Sequence, residues 1–182
     1  MAENPTLLTL LEHPDTPSEA VRRVAACAEL IGPDSLRFQY VLEADLRQIR
    51  IPPQVADAGR ADKLWAHTCF EAFVAFGRFS PGYLELNFSP SGQWAAHRFE
   101  SYREGMEPAV LGAAPRLALR LGENRLELQA EVRLSGTSGD DRPRLALCTV
   151  VEDTEGRLSY WALRHPPGRP DFHHPYGFSL AL

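Results

Sequence analysis

Two stretches of this chain alternate apolar and polar residues and carry groups that could do chemistry. TCFEAFVAF, residues 68–76, holds Glu71, and YLELNFSPSGQWAAHRF, residues 83–99, holds Glu85, Asn87 and His97. Two carboxyls and an imidazole make an acid–base set, which is the chemistry of a glycosidase if a sugar lies between them. The same groups, joined by an amide, can also hold a ligand by directed hydrogen bonds with no reaction. Ser89-Pro90-Ser91-Gly92 raises the question of a reactive serine. A nucleophile elbow needs G-x-S-x-G and a phosphate loop needs a G-K-[ST] ending, and neither pattern is present. Pro90 is preset for the first turn position and Gly92 can take positive φ, so the four residues predict a type I turn with a glycine bulge. No nucleophile with an orienting partner accompanies the carboxyls, and no catalytic residue is assigned.

That turn sets a register. It places Ser89 opposite Gln93, Asn87 opposite Ala95, Glu85 opposite His97 and Tyr83 opposite Phe99, with Phe88 and Trp94 paired on the other side. Glu85 facing His97 predicts an ion pair. In the earlier stretch Phe70, Ala72, Val74 and Phe76 form the apolar row, which leaves Glu71 beside Cys69 and Phe73 on the opposite face. Glu71, Glu85, Asn87 and His97 are thus expected on one face of a sheet. An antiparallel sheet commonly turns a polar face to water. Phe73, Tyr83 and Phe99 on the same face need a further reason, and rings beside carboxyls and amides suit a small polyhydroxylated ligand.

Other candidates flank this face. RHPPGRPDFHHP, residues 164–175, is expected to be a rigid strap across one end of the fold, offering Arg164, His165, Arg169 and His173 to a ligand at low entropy cost. Adjacent histidines on an extended segment point to opposite sides and the spacing fits no known finger, so no metal site is expected. Trp65, in a loop between Lys63 and His67, either plugs the end of the fold or serves as a stacking platform. Arg98 either snorkels to the rim or holds a carboxylate. Trp161 is expected in the core. Haem would need an axial pair such as Met106 with His97, and nothing in the sequence positions one, so no cofactor is expected.

The elements that must position these residues have a period of two. LRFQYVLEADLRQIRIP reads as strand through Leu36, Phe38, Tyr40 and Leu42 and on through Leu46, Ile49 and Ile51. RLALRLGENRLELQAEVRL and LALCTVVEDTEGRLSYWAL are hairpins, and SEAVRRVAACAELIG is read as a strand pairing with its successor. Residues 98–107 make a helical turn or a loop. The expected fold is all-β, an antiparallel β-sandwich with little helix, formed by residues 1–182 as one domain.

Composition narrows the partners. The chain has 182 residues and a formal net charge of -5 with scattered arginines, so nucleic acid is not expected. No apolar run is long enough to span a membrane, and no membrane partner is expected. The first fifteen residues lack a basic n-region, which points to the cytoplasm. Cys27, Cys69 and Cys148 lie in apolar surroundings at unrelated spacings and read as buried thiols.

With these residues in view, the chain resembles a known family. DKLWAHTCFEAFVAF, YLELNFSPSGQWAAHRFESYREGM and LSYWALRHPPGRPDFHHPYGFSLAL look like the DOMON-like ligand-binding proteins of bacteria, which are similar to family 9 carbohydrate-binding modules. The shared pattern is a Trp shortly before a Glu-x-Phe strand, a Tyr-x-Glu-x-Asn strand and an Asn-x-Ser-Pro-x-Gly-x-Trp turn. The resemblance covers most of residues 60–182. It implies a β-sandwich that binds a ligand without chemistry, with sugar or haem as the classes. Taken together, non-catalytic binding of a small molecule, a carbohydrate or sugar-bearing metabolite, is the leading expectation. A glycosidase-like enzyme using Glu71, Glu85 and His97, a haem-binding module and a protein-interaction module are the alternatives.

Overall fold

A computed structural model describes residues 6–77, 81–135 and 142–182. Residues 1–5, part of the stretch read for a leader, lie outside the described residues. The strands in chain order are β1 (Leu8–Glu12), β2 (Val21–Gly32), β3 (Ser35–Ala44), β4 (Cys69–Ala75), β5 (Tyr83–Phe88) and β6 (Trp94–Phe99). They continue as β7 (Glu107–Pro108), β8 (Arg116–Leu121), β9 (Arg125–Arg133), β10 (Arg144–Glu152), β11 (Leu158–Ala162) and β12 (Leu180–Ala181). Three short 3-10 turns, and no α-helix, interrupt them among the described residues, so no helix there is long and apolar enough to cross a membrane.

Among the described residues the named strands pair antiparallel. One sheet runs β1-β2-β3-β9-β8 and the other β7-β6-β5-β4-β10-β11, with β12 on the far end of β10. The two are stitched at one side by β1, whose first half pairs with β2 and whose last two residues pair with β11. Alternation decides what fills the space between the sheets. Leu36, Phe38, Tyr40 and Leu42 of β3 and Leu126, Leu128, Ala130 and Val132 of β9 meet Phe70, Ala72 and Val74 of β4 and Phe88 of β5 in one buried core. Phe38 and Phe88 lie 5.7 Å apart, and Tyr40 and Phe70 5.2 Å, within the range of aromatic attraction. Trp161 joins this core, its indole N–H donating to Ser159 Oγ at 3.0 Å. The architecture is the expected all-β sandwich.

One local expectation fails for a local reason, and one open choice falls to the loop. The strand read through Ile51 stops at Ala44, because the Asp45 carboxylate accepts the Arg47 backbone N–H and caps a 3-10 turn over Leu46–Gln48. Residues 98–107 end β6 in a tight turn, with Arg103 and Gly105 both at positive φ, before the two-residue β7.

The Ser-Pro-Ser-Gly turn has the expected geometry. The Ser89 N–H donates to the Gln93 carbonyl at 2.9 Å, the Gly92 N–H to the Ser89 carbonyl at 3.0 Å, and Gly92 sits at φ +89°. The register of β5 on β6 follows residue by residue, Glu85 opposite His97 included. A β-branched side chain at position 92 would be strained by φ, and its Cβ would stand 3.1 Å from the Ala58 methyl. Gly92→Val should therefore cost about 1–2 kcal/mol or more in chemical denaturation. From sequence, Ser91→Ala is expected to cost only a few tenths of a kcal/mol. The structure corrects this: Ser91 is buried, its hydroxyl donates to Ser89 Oγ at 2.8 Å and accepts the Gln93 N–H at 3.2 Å, so about 1 kcal/mol is the better figure.

The outer face of the second sheet is not turned to water. After β11 the chain crosses that face instead of an end of the sandwich, which corrects the expected position of the strap. Phe172 packs near Tyr160 (5.7 Å) and Phe73 (6.5 Å), and His173 lies against Phe73 (5.1 Å) and Phe99 (5.0 Å). A second apolar cluster forms there from Phe73, Tyr83, Phe99, Ala146, Cys148, Val150, Ala162 and Phe172.

Candidate functional site

The floor of the site is built by β4 and β5. Glu71 pairs with Asn87, and Glu85 pairs with Phe73 on one side and His97 on the other. Glu71 and Glu85 are thus diagonal neighbours on one face, a relation that sets residues about 7–8 Å apart, their Cβ atoms somewhat closer. All three polar floor residues are buried, Glu71 at 3% exposed, Glu85 at 6% and Asn87 at 0%. Asn87 Nδ2 donates to Glu85 Oε1 at 2.8 Å, while Glu71 Oε1 has no partner among the described residues. From the core side the Tyr40 hydroxyl donates to the Glu71 carbonyl at 2.7 Å and pins β4 in place.

Burial acts on these carboxyls directly. It pushes the pKa of Glu71 well above the usual carboxyl value, and the charge of Glu85 adds to the rise. Glu85 is also raised by burial, against the opposing pull of the Asn87 amide and the His97 imidazole. Two carboxyls so placed do not both ionise easily, because each charge lacks water and repels the other.

Above this floor lies a cavity of about 600 Å³. Its walls are the rings of Trp65, Phe99, Tyr160 and Phe172, with Val150 and Met106 between them, and Arg103 and Arg169 also line it. The strap lays Phe172 and His173 over the sheet. His173 Nδ1 is 2.8 Å from the Tyr83 hydroxyl, and Nε2 is 3.8 Å from Glu85 Oε2. Burial, and then the positive charge of Arg103, lowers the pKa of His173 to about 4, so the ring is neutral at neutral pH. Asp171 clasps the strap to the turn after β6, accepting from the Tyr102 hydroxyl and from Arg103 at 2.7 Å, and it also accepts the His173 N–H at 3.1 Å. Burial alone would raise the Asp171 pKa, but the donors from Tyr102 and Arg103 outweigh it and the value falls.

The structure brings some of the sequence candidates together and not others. Glu71, Glu85, Trp65 and His173 line the cavity. Asn87 is bonded to Glu85, and Tyr83 holds His173 from below. His97 stands edge-on to Trp65 at 6.0 Å, its Nδ1 buried and without a partner among the described residues. The ion pair expected between Glu85 and His97 is absent among the described residues: the two are cross-strand neighbours, and the Glu85 carboxylate is engaged by Asn87 instead. Three candidates lie elsewhere. Arg98 is exposed and bonded to Glu107 at 3.1 Å, Arg164 sits over the Tyr176 ring at 5.5 Å, and His165 Nε2 is 2.8 Å from the Leu11 carbonyl oxygen. Sequence reasoning missed Tyr160, Phe172 and Arg103. Tyr160 was legible, since Trp161 points inward and its neighbour in a strand must point out. Phe172 and Arg103 carried no local signal.

The cavity does not bring together the axial pair that the sequence offers for haem, and its floor carries two carboxyls. His97 does not line the cavity with Met106, and the Nδ1 of His173 is engaged by Tyr83. Among the described residues no group of three or more His, Cys, Asp or Glu could hold a metal ion.

Comparison with known proteins agrees at the level of fold. No family profile and no curated protein matches the chain. A Bacteroides uniformis protein provisionally assigned as carbohydrate-binding superposes with a TM-score of 0.70 at 16% identity, over 95% of this chain and 84% of its own. A family 9 carbohydrate-binding module from Caldicellulosiruptor kristjanssonii in complex with glucose gives a TM-score of 0.41 at 13% identity, over 82% of this chain and 72% of its own. The same kind of module in complex with cellotriose gives 0.38 at 14% identity, over 87% and 75%. The chain therefore shares the β-sandwich fold of the Bacteroides protein.

Proposed function

We infer that this chain binds a small polyhydroxylated ligand, a carbohydrate or a sugar-bearing metabolite, without turnover. One observation carries the reading: four aromatic rings wall a cavity of about 600 Å³ whose floor presents a buried carboxyl oxygen with no partner among the described residues. Rings accept the C–H faces of a sugar, and directed polar groups at the floor take its hydroxyls. A buried acceptor without a donor costs free energy in the empty protein, and a ligand hydroxyl removes that cost. The carbohydrate-binding assignment of the Bacteroides protein with the same fold supports the class of ligand.

Trp65 provides the test. It is 37% exposed on a 3-10 turn, so its ring serves the cavity more than the core. In isothermal titration against the monosaccharide that binds, Trp65→Ala should weaken affinity by about tenfold, some 1.4 kcal/mol. Thermal unfolding should move little. Unchanged affinity would remove Trp65 from the site, and absence of saturable sugar binding in a glycan screen would overturn the reading.

A further inference from the structure

Resting on the sugar-binding reading above, we propose that the preferred ligand carries a cationic amino group, as a hexosamine does, and that this ammonium seats on the Glu71–Glu85 floor beneath the aromatic rings. Carboxylates are almost never fully buried unless something pairs them. Here the positive charge of the chain is indirect: Arg103 and His97 act on Glu85 without an ion pair to it among the described residues. Among the described residues no Arg or Lys forms an ion pair with Glu71 or Glu85, and the nearest basic group, His173 at 3.8 Å from Glu85, also bonds Tyr83. Arg103 is committed to Asp171 at 2.7 Å. Arg169 is an exposed residue of the strap.

A hydroxyl group would satisfy the open oxygen of Glu71 but bring no charge to a buried pair that does not ionise easily. An ammonium satisfies the same oxygen and balances the charge of one ionised carboxyl. Its three donors suit a floor where Asn87 already occupies Glu85 Oε1 and the Glu71 oxygen is open. The rings of Trp65, Phe99, Tyr160 and Phe172 line the same space, and aromatic rings attract a cation as well as a sugar ring. An anion, by contrast, would have to approach two carboxyls.

Of the other titratable groups around the floor, the thiols, the phenols, His173 and the Asp171–Arg103 pair do not supply or take the proton that this exchange involves. Cys148 on β10 faces Glu71 and Cys69 lies two residues before it, and burial pushes both thiols up. Burial likewise raises Tyr83 and Tyr160. His173 is neutral, Asp171 and Arg103 are paired with each other, and His97 is the remaining imidazole, across from Glu85. Binding of an ammonium should drive the floor carboxyls to ionise and so release protons.

The experiment is isothermal titration of the whole chain with glucosamine, galactosamine and mannosamine, each against its neutral parent sugar and the matching uronic acid. Repetition in buffers of different ionisation enthalpy counts protons. At least one hexosamine should bind about tenfold tighter than its parent, with net proton release near neutral pH. In Glu71→Gln, an isosteric change, the preference over the parent sugar should collapse towards one and the released protons should fall. Neutral sugars or uronic acids binding as well as the amines would overturn the proposal and leave the sugar-binding reading standing. No saturable binding by any of the nine up to millimolar concentration would overturn both.

Discussion

A Phe73→Ala variant should lose about 3–5 kcal/mol of stability and release the strap from the sheet. Phe73 is fully buried, yet it lies on the outer face of β4 and not between the sheets. Its ring meets Tyr83, Phe172, His173 and Phe178 at 5.1 to 6.5 Å, so it is the common contact through which the strap and the last turn hold the sheet. Truncation removes the aromatic contacts and leaves a void that rigid, proline-bound neighbours fill poorly. Phe70→Ala, three residues earlier, removes a ring from the inner core and should cost a similar amount. The two should differ in hydrogen exchange. Amides of residues 172–178 should open locally in Phe73→Ala, and only with global unfolding in Phe70→Ala. A strap that stayed protected in Phe73→Ala would mean that the Asp171 clasp alone holds it.

The second large effect is on the pH dependence of stability. Glu71 keeps its proton in the folded protein well above 4.5, because burial and then Glu85 oppose its charge. Between 4.5 and the folded value the native state holds more protons than the unfolded one, so stability falls as pH rises, at up to about 1.4 kcal/mol per pH unit. The contribution is full below 4.5 and is lost as pH climbs through the folded value. His173 runs the other way. Its pKa drops from 6.5 to about 4, so its contribution is present above 6.5 and lost as pH falls through 4. His165, also lowered by burial, acts in the same direction as His173. Comparison with Glu71→Gln cancels the histidines. The stability advantage of the variant should be smallest below pH 4.5 and should widen as pH rises, before the buried thiols, raised above 9.0, begin to titrate. Parallel urea denaturation curves across that range measure it. A difference that stayed constant with pH would show that Glu71 is ionised in the folded protein.

Much of this architecture was legible in local pattern, and the misreadings share a cause. The alternation of β3 was read correctly up to Ala44 and wrongly beyond it, since Leu46, Ile49 and Ile51 continue an apolar rhythm that the Asp45 cap interrupts. The Glu85–His97 register was right and the ion pair was not, because register is a backbone property, whereas the partner of a carboxylate depends on which side chains lean into the space. Asn87, two residues along the same strand, reaches Glu85 first.

By itself the sequence determined the strands β2 to β6 and β8 to β11 in outline, the Ser89–Gly92 turn, the pairing of β5 with β6 and the set of side chains that point away from the core. These follow from alternation with period two and from turn chemistry, both of which act within a few residues. Only the tertiary structure decided that this outward face is covered, that Trp65 converges on it with Tyr160 of β11 and Phe172 of the strap, and that Asp171 reaches Tyr102 and Arg103 to hold the strap closed. Those contacts join residues about 70 apart in sequence. No local period encodes them, because their free energy comes from burying surface and pairing charge across the finished fold.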